Sequence, residues 1–322
     1  MGAGVSRPGA RDVIDAVLDP DSFESWDAPA SIDTLPEAYA EELARAAERA
    51  ATDESVLTGR GQVGGRDVVV IVSEFRFLGG SIGAATADRI VAAVRRATAE
   101  RLPVLAAPAS GGTRMQEGTP AFVRMADIAR TLMAHRAEGL PYLAYLRHPT
   151  TGGVFASWGS LAQVTAAEPG ALVGFLGPKV YEALNGEPFP AGVQTAENLS
   201  EHGIVDAVVP LDELRTLVDT TLAVLLDPPS PPSLRTTSDG EAEPDAAPDA
   251  WAAITATRGA GRTGVRDLLR YAATHTVRLH GTVEGERDSA VLIALTRLDG
   301  RPCVLVGQDR ERQGPGAELG PA

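Results

Sequence analysis

Between Val68 and Val180 short apolar runs alternate with longer stretches in which apolar positions recur at helical spacing. "VVVIVS", "LPVLAAP" and "LPYLAYL" are apolar almost without interruption over the length of a strand, as strands covered on both faces are. A glycine pair follows each run: Gly79–Gly80, Gly111–Gly112 and Gly152–Gly153. A helix is predicted after each pair, over Ala84 to Glu100, Thr119 to Gly139 and Val154 to Gly170. In the first, Ala87, Ile90, Val91 and Val94 share one face. In the second, Phe122, Met125, Ala129, Leu132 and Met133 do, and both stripes are predicted to pack in the core. Upstream, residues 1–56 read as helical, and "SVLTGRGQVGGRDVVVIVSEFRF" as two strands around Gly64–Gly65, a hairpin signal.

Near Pro228 this alternation stops. "DPPSPPSLRTTSDGEAEPDAAPDA", from Asp227 to Ala250, holds too little apolar surface to offset its ordering entropy and reads as a linker. The predicted organisation is a helical segment over 1–56, a main domain over 57–226, a linker over 227–250 and a last segment over 251–322. That last segment resembles the beginning of the chain. "GGRDVVVIVSE" (Gly64 to Glu74) aligns without gaps to "DGRPCVLVGQD" (Asp299 to Asp309), and "RDVIDAVL" has a counterpart in "GVRDLLRYA". The fold is expected to restart after the linker as an incomplete second copy.

Composition narrows the chemistry. The 322 residues are 44% apolar, enough for one large domain or two ordinary ones. A formal charge of −14 argues against a nucleic-acid partner held on a basic face. An anionic ligand would have to be met by local arginines and backbone amides. Lys179 is the single lysine among 29 basic residues, which we read as compositional bias. Cys303 is the single cysteine, so neither an internal disulfide nor a cysteine-ligated zinc is expected. No leader pattern opens the sequence and no run of about 18 apolar residues occurs, so a soluble, cytoplasmic protein is expected.

Gly79-Gly80-Ser81-Ile82-Gly83 matches the nucleophile-elbow pattern G-x-S-x-G, with Asp206 and then His275 or His280 in the chain order of a hydrolase triad. The other two turns carry their glycines without such a serine, so the repeat explains the match better and Ser81 reads as a cap or turn residue. Dinucleotide and P-loop spacings are absent. His135, His148, His202, His275 and His280 are scattered, with no metal-ligand spacing. What remains is the backbone. A glycine pair between strand and helix serves as a tight turn, as an anion cradle, or as amide donors to a reacting oxygen at the positive end of a helix dipole.

Together "FRFLGGSIGAATADRI", "SGGTRMQEG", "HPTTGGVFASWGSLA", "AEPGALVGFLGPKV" and "QTAENLSEHGIVDAVV" closely resemble the β-type carboxyltransferase subunit of bacterial acetyl-CoA carboxylase, roughly from Val56 to Pro210. The part after Trp251 more faintly resembles the opening of the α-type subunit, the order of the fused carboxyltransferases of actinobacteria. The four-cysteine zinc ribbon of the common β subunit is missing. The resemblance implies an α/β fold, the crotonase (ClpP-like) superhelix of ββα units, with an incomplete second copy after the linker. It implies transfer of carboxylate from carboxybiotin to acetyl-CoA, giving malonyl-CoA for fatty acid biosynthesis. Its implied partners are a biotin carboxyl carrier protein, a biotin carboxylase and an α-type carboxyltransferase half or subunit, in an oligomer. On the same basis the thioester oxyanion hole falls on the amides of Gly152 and Gly153. The acyl-CoA wall falls on Gly111 and Gly112, with Gly79 and Gly80 in the equivalent first turn and Arg76 and Arg114 as candidates for CoA phosphates. In this family the hole for the biotin ureido oxygen belongs to the α-type half, so activity of the 322 residues alone is in question. Two alternatives stand beside this reading: a malonyl-thioester decarboxylase of the same superfamily, and a non-catalytic β-like assembly subunit.

Overall fold

A computed structural model describes residues 7–30, 35–230, 249–257, 263–280, 288 and 290–309. Most of the expected linker, at 231–248, lies outside the described residues. The chain divides into two units, Met1–Asp219 with His280–Arg287, and Thr220–Leu279 with Asp288–Ala322.

The first unit opens with α1 (Ala10–Val17), β1 (Glu24–Ser25) and α2 (Glu37–Ala50). The short strand β1 interrupts what reads in sequence as helix, because it borders β2 (Val56–Val63), with Glu24 opposite Arg60. β2 and β3 (Arg66–Ser73) form the expected hairpin, with Val63 opposite Arg66. Gly64 (φ +58°) and Gly65 (φ +75°) make its turn, a backbone that suits the twist of paired strands and costs other residues strain. The Asp19 carboxylate accepts from both glycine amides, at 3.0 and 2.8 Å.

From β3 the chain winds through α3 (Ala84–Ala99), β4 (Val104–Ala107), α4 (Thr119–Ala137) and β5 (Tyr142–Leu146). It continues as β6 (Thr150–Thr151), β7 (Val164–Ala167), β8 (Val173–Gly174), α5 (Pro178–Asn185), α6 (Ala196–Glu201) and β9 (Ala207–Val208). The main sheet has the order β1-β2-β3-β4-β5-β7-β9. It is antiparallel across β1, β2 and β3 and parallel thereafter. Val69, Ile71, Val94, Ile128 and Trp158 meet in its core.

The α3 stripe is buried as predicted. On α4 the buried face is instead Ala121, Met125, Ile128, Leu132 and His135, while Phe122 and Met133 are 64% and 48% exposed. The predicted stripe is therefore rotated, since Phe122 and Met133 stand one position off the face that α3 covers. The third predicted helix is corrected too. After Gly152–Gly153 the chain makes only a wide turn of π-helical type, Phe155–Gly159, around the fully buried Trp158. β-Branched Val164 and Thr165 then join β7, with Val164 opposite Leu143 of β5; pairing to an open parallel edge overrides the helical pattern.

A second, smaller set of pairings runs through the turns at one end of the sheet. Ile82 bridges Thr113, Ser110 bridges Thr150, β6 pairs with β8, and Leu172 bridges Thr195. The glycine turns are thus joined one to the next.

α7 (Leu211–Leu226) leads into the second unit, which holds α8 (Ala250–Thr257), α9 (Val265–Tyr271) and an antiparallel sheet of β10 (Ala273–Leu279), β11 (Val291–Leu298) and β12 (Arg301–Gln308). β11 and β12 repeat the lengths and the two-residue connection of β2 and β3. Both α1 and α9 follow a glycine whose amide donates to an aspartate three residues on, Gly9 to Asp12 at 2.7 Å and Gly264 to Asp267 at 2.9 Å. Glu74 accepts from Ala10 at the head of α1, and Asp309, aligned with it, accepts twice from Arg266 at the head of α9. Val304 and Val306 are 60% and 65% exposed, whereas Val69 and Ile71, their counterparts in β3, are buried beneath α3. The buried Arg297 donates to the carbonyls of Ala223, Val224, Asp227 and Pro228, which satisfies the acceptors left at the end of α7.

Candidate functional site

Backbone bonds bring the three glycine turns together. Gly111 N donates to Gly79 O at 3.2 Å, Ile82 N to Gly112 O at 3.0 Å, and Arg114 N to Ile82 O at 2.9 Å. The third turn closes on the second through Ser110 N to Pro149 O at 2.6 Å and Thr151 N to Ser110 O at 3.1 Å. A Cβ on Gly152 would stand 3.8 Å from Gly111 O and 3.9 Å from Gly112 Cα.

The six glycines are not equivalent. Gly79, Gly80, Gly112 and Gly152 have positive φ, of 65°, 65°, 122° and 66°, so the turn itself calls for glycine there. At Gly80 an added Cβ would also collide with the Ala109 carbonyl. Gly111 and Gly153 have neither positive φ nor a neighbour that would obstruct a side chain, the closest to Gly153 being Met125 Cε at 3.5 Å. The amides differ as well. Of the expected donor pair, Gly152 N donates to Gly174 O at 3.1 Å. The amides of Gly153 and Thr113 have no acceptor among the described residues. Thr113 Oγ1 lies 4.0 Å from the Cβ position of Gly153. Sequence reading missed Thr113; the signal lay within "SGGTR", directly after the glycines.

Arg114, expected as a candidate for a CoA phosphate, has a side chain that is 1% exposed and already committed. Nη1 and Nη2 grip Glu54 at 2.8 and 2.7 Å, Nη2 donates to Ser81 O at 3.0 Å, and Nε faces Ser81 Oγ at 3.4 Å. Burial alone would raise the Glu54 carboxyl. The Arg114 hydrogen bonds and charge, with donors from Thr86 and Ser55, hold it below the usual range. Glu117 accepts from Tyr39 OH at 2.5 Å and from Ala84 N at 2.6 Å, closing the network onto α2 and α3. Arg76 remains half-exposed, with Glu74 and Asp12 at 3.8 and 3.9 Å.

The hydrolase triad is not assembled. Ser81 Oγ faces Arg114, and the Asp206 carboxylate accepts from the Thr165 and His280 amides while burial raises its pKa. His148 Nδ1 accepts from Leu172 N at 3.0 Å, a structural use consistent with burial and the charge of Arg7 lowering its pKa. Among the described residues no group of His, Cys, Asp and Glu side chains is arranged to hold a metal ion. Nor is any helix among the described residues long and apolar enough to cross a membrane. A cavity of about 540 Å³ lies between Trp26, Leu43 and α3, floored by the Arg89–Asp53 ion pair, and none of the six glycines lines it.

The chain is 56% identical over 310 residues to a protein of Mycobacterium tuberculosis described as a probable biotin-dependent acyl-coenzyme A carboxylase beta3 subunit, covering 95% of this chain and 61% of that one. It is 38% identical over 309 residues to the acetyl-coenzyme A carboxylase carboxyl transferase subunits beta/alpha of Saccharopolyspora erythraea, covering 94% of this chain and 54% of that one. The chain thus spans between about half and two thirds of the length of these relatives. Among solved structures it resembles transcarboxylase 12S, with TM-score 0.72 at 22% identity over 94% of this chain and 56% of that one, a likeness of fold that is α/β and crotonase-like. The malonate decarboxylase MdcD–MdcE heterodimer of Pseudomonas gives TM-score 0.54 at 25% identity over 67% of this chain and 86% of that one. A family model described as the carboxyl transferase domain matches residues 6–320, and the chain belongs to that family.

Proposed function

We propose that the chain is the carboxyltransferase component of a biotin-dependent acyl-CoA carboxylase, with acetyl-CoA as substrate, and that the thioester oxygen is received between the amides of Gly153 and Thr113. The observation that carries this reading is that Gly153 is glycine without a backbone reason, beside two amides with no acceptor among the described residues. A missing side chain there lets a carbonyl approach the amides closely.

Carboxybiotin, brought by its carrier, would supply carbon dioxide and the base for the acyl α-carbon. The chain's own part is to donate two N–H bonds to the thioester oxygen as that oxygen gains negative charge and the α-carbon loses its proton. Each such donor is worth about 3 kcal/mol in a transition state. Arg76, half-exposed beside the first turn, is the remaining candidate for a CoA phosphate. Met115, Phe122 and Phe175 are 85%, 64% and 66% exposed around the second and third turns, which supports a partner half covering the site. The names of the two curated relatives favour a carboxylase over the decarboxylase alternative, which the heterodimer of Pseudomonas keeps in view.

The test is carboxylation of acetyl-CoA with bicarbonate, ATP, carrier protein, biotin carboxylase and an α-type partner. Malonyl-CoA formation that needs biotin is expected. Decarboxylation of a malonyl thioester without carrier, and no carboxylation, would replace this reading with the alternative.

A further inference from the structure

We infer that the buried Arg114–Glu54 pair is the positioning element of the thioester site, holding the backbone around Thr113 so that its amide and that of Gly153 converge on one oxygen. The inference rests on the carboxyltransferase reading above.

Where the pair is placed carries the argument. Arg114 immediately follows Thr113, and its own amide donates to Ile82 O while Ile82 N returns a bond to Gly112 O. The two backbone bonds therefore flank Thr113 and leave its amide free of them. The guanidinium then ties this turn to the first turn through Ser81 O, and to the start of β2 through Glu54 and Ser55 Oγ. Glu54 is fixed in turn by Ser55 N at 2.7 Å and Thr86 Oγ1 at 2.6 Å. Gly83 makes room for the network, since a Cβ there would stand 2.6 Å from Arg114 Nη1. A planar fork with donors in fixed directions orients its attachments, whereas an ammonium supplies charge without that geometry. The pair thus anchors the residue directly after Thr113, whose Oγ1 lies 4.0 Å from the Cβ position of Gly153.

The experiment compares Arg114→Lys with the parent in the assembled carboxylase, and adds the infrared carbonyl band of acetyl-CoA carrying ¹³C at the thioester carbon. Hydrogen bonds to the thioester oxygen lower that band in the parent complex. In Arg114→Lys kcat is expected to fall about 30-fold with KM for acetyl-CoA changed by less than about 3-fold, and the band to move back toward its position in water. A folded Arg114→Lys with parental kcat per site and parental band overturns the inference, as does a variant that merely contains fewer folded sites. If Arg114→Lys does not fold, Tyr39→Phe and Glu117→Gln decide, because they loosen the same network from its edge. A partial shift of the band in either supports the inference, and parental values in both overturn it. A parent complex whose band does not move would instead remove the carboxyltransferase reading, and this inference with it.

Discussion

Gly152 and Gly153 are neighbours with different physical roles. Gly152 sits at φ +66° and its N–H is bonded to Gly174, so the turn accounts for it. Gly153 has ordinary φ and only ordinary van der Waals neighbours at the Cβ position, so the turn does not account for it. In sequence the two letters are identical, which is why the pair read as one unit. Gly153→Ala and Gly111→Ala are accordingly expected to melt within about 2 °C of the parent, while Gly153→Ala loses at least about tenfold in kcat/KM. Gly79→Ala meets no neighbour and is expected to cost about 1–2 kcal/mol from its left-handed backbone alone. Gly80→Ala, which also strikes the Ala109 carbonyl, is expected not to yield folded protein. Thermal melts and steady-state kinetics on the four variants check the set. An active, stable Gly153→Ala would detach that residue from the chemistry.

Among the elements, α3 was legible because its apolar positions match one face of a helix packed on a sheet. α4 was legible only as a helix. Phe122 and Met133 are large and apolar, but the face chosen for burial is the one that meets α3 and Trp158, and it includes His135. Sequence has no way of ranking a histidine above a phenylalanine for a core position. The ring is held by Thr98 Oγ1 at 2.9 Å from Nδ1, and burial lowers its pKa against the weaker pull of the Pro141 carbonyl. A folded pKa below the ordinary 6.5 means the unfolded chain takes up the proton first. The stability from neutral His135 is thus complete above that value and is lost as pH falls below it. Denaturant midpoints of the parent are expected to drop between about pH 7 and about pH 5, and those of His135→Gln to be lower but flatter across the same range. The region after Gly153 was not legible, because "SWGSLAQVTAA" carries apolar residues at spacings that suit helix or strand. The open edge of β5 resolves that ambiguity in favour of β7.

For the whole molecule, the internal repeat is visible both as an ungapped match and as two hairpins of equal length, each behind a glycine-capped helix. Net charge acts at the same scale. On the proposed function the ligand is an anionic CoA ester, and with −14 on the protein long-range repulsion would slow their encounter. Raising ionic strength from about 0.01 M to about 0.15 M shortens the screening length from about 30 Å to about 8 Å. The association rate of acetyl-CoA is therefore expected to rise roughly 2- to 5-fold, measured by stopped flow. A fall would mean that local positive charge around Arg76 outweighs the net charge.

Strand runs, glycine punctuation and the repeat follow from local composition, because buried parallel strands must be apolar and hairpin turns need positive φ; these the sequence determined by itself. Which glycine is free, which face of α4 is buried and where Arg114 points depend on groups far apart in the chain. Glu54 lies 60 residues from Arg114, and Gly174 reaches Gly152 across a separate strand pairing. Only the tertiary structure decides them, because a guanidinium or an amide takes its role from the acceptor that folding brings to it.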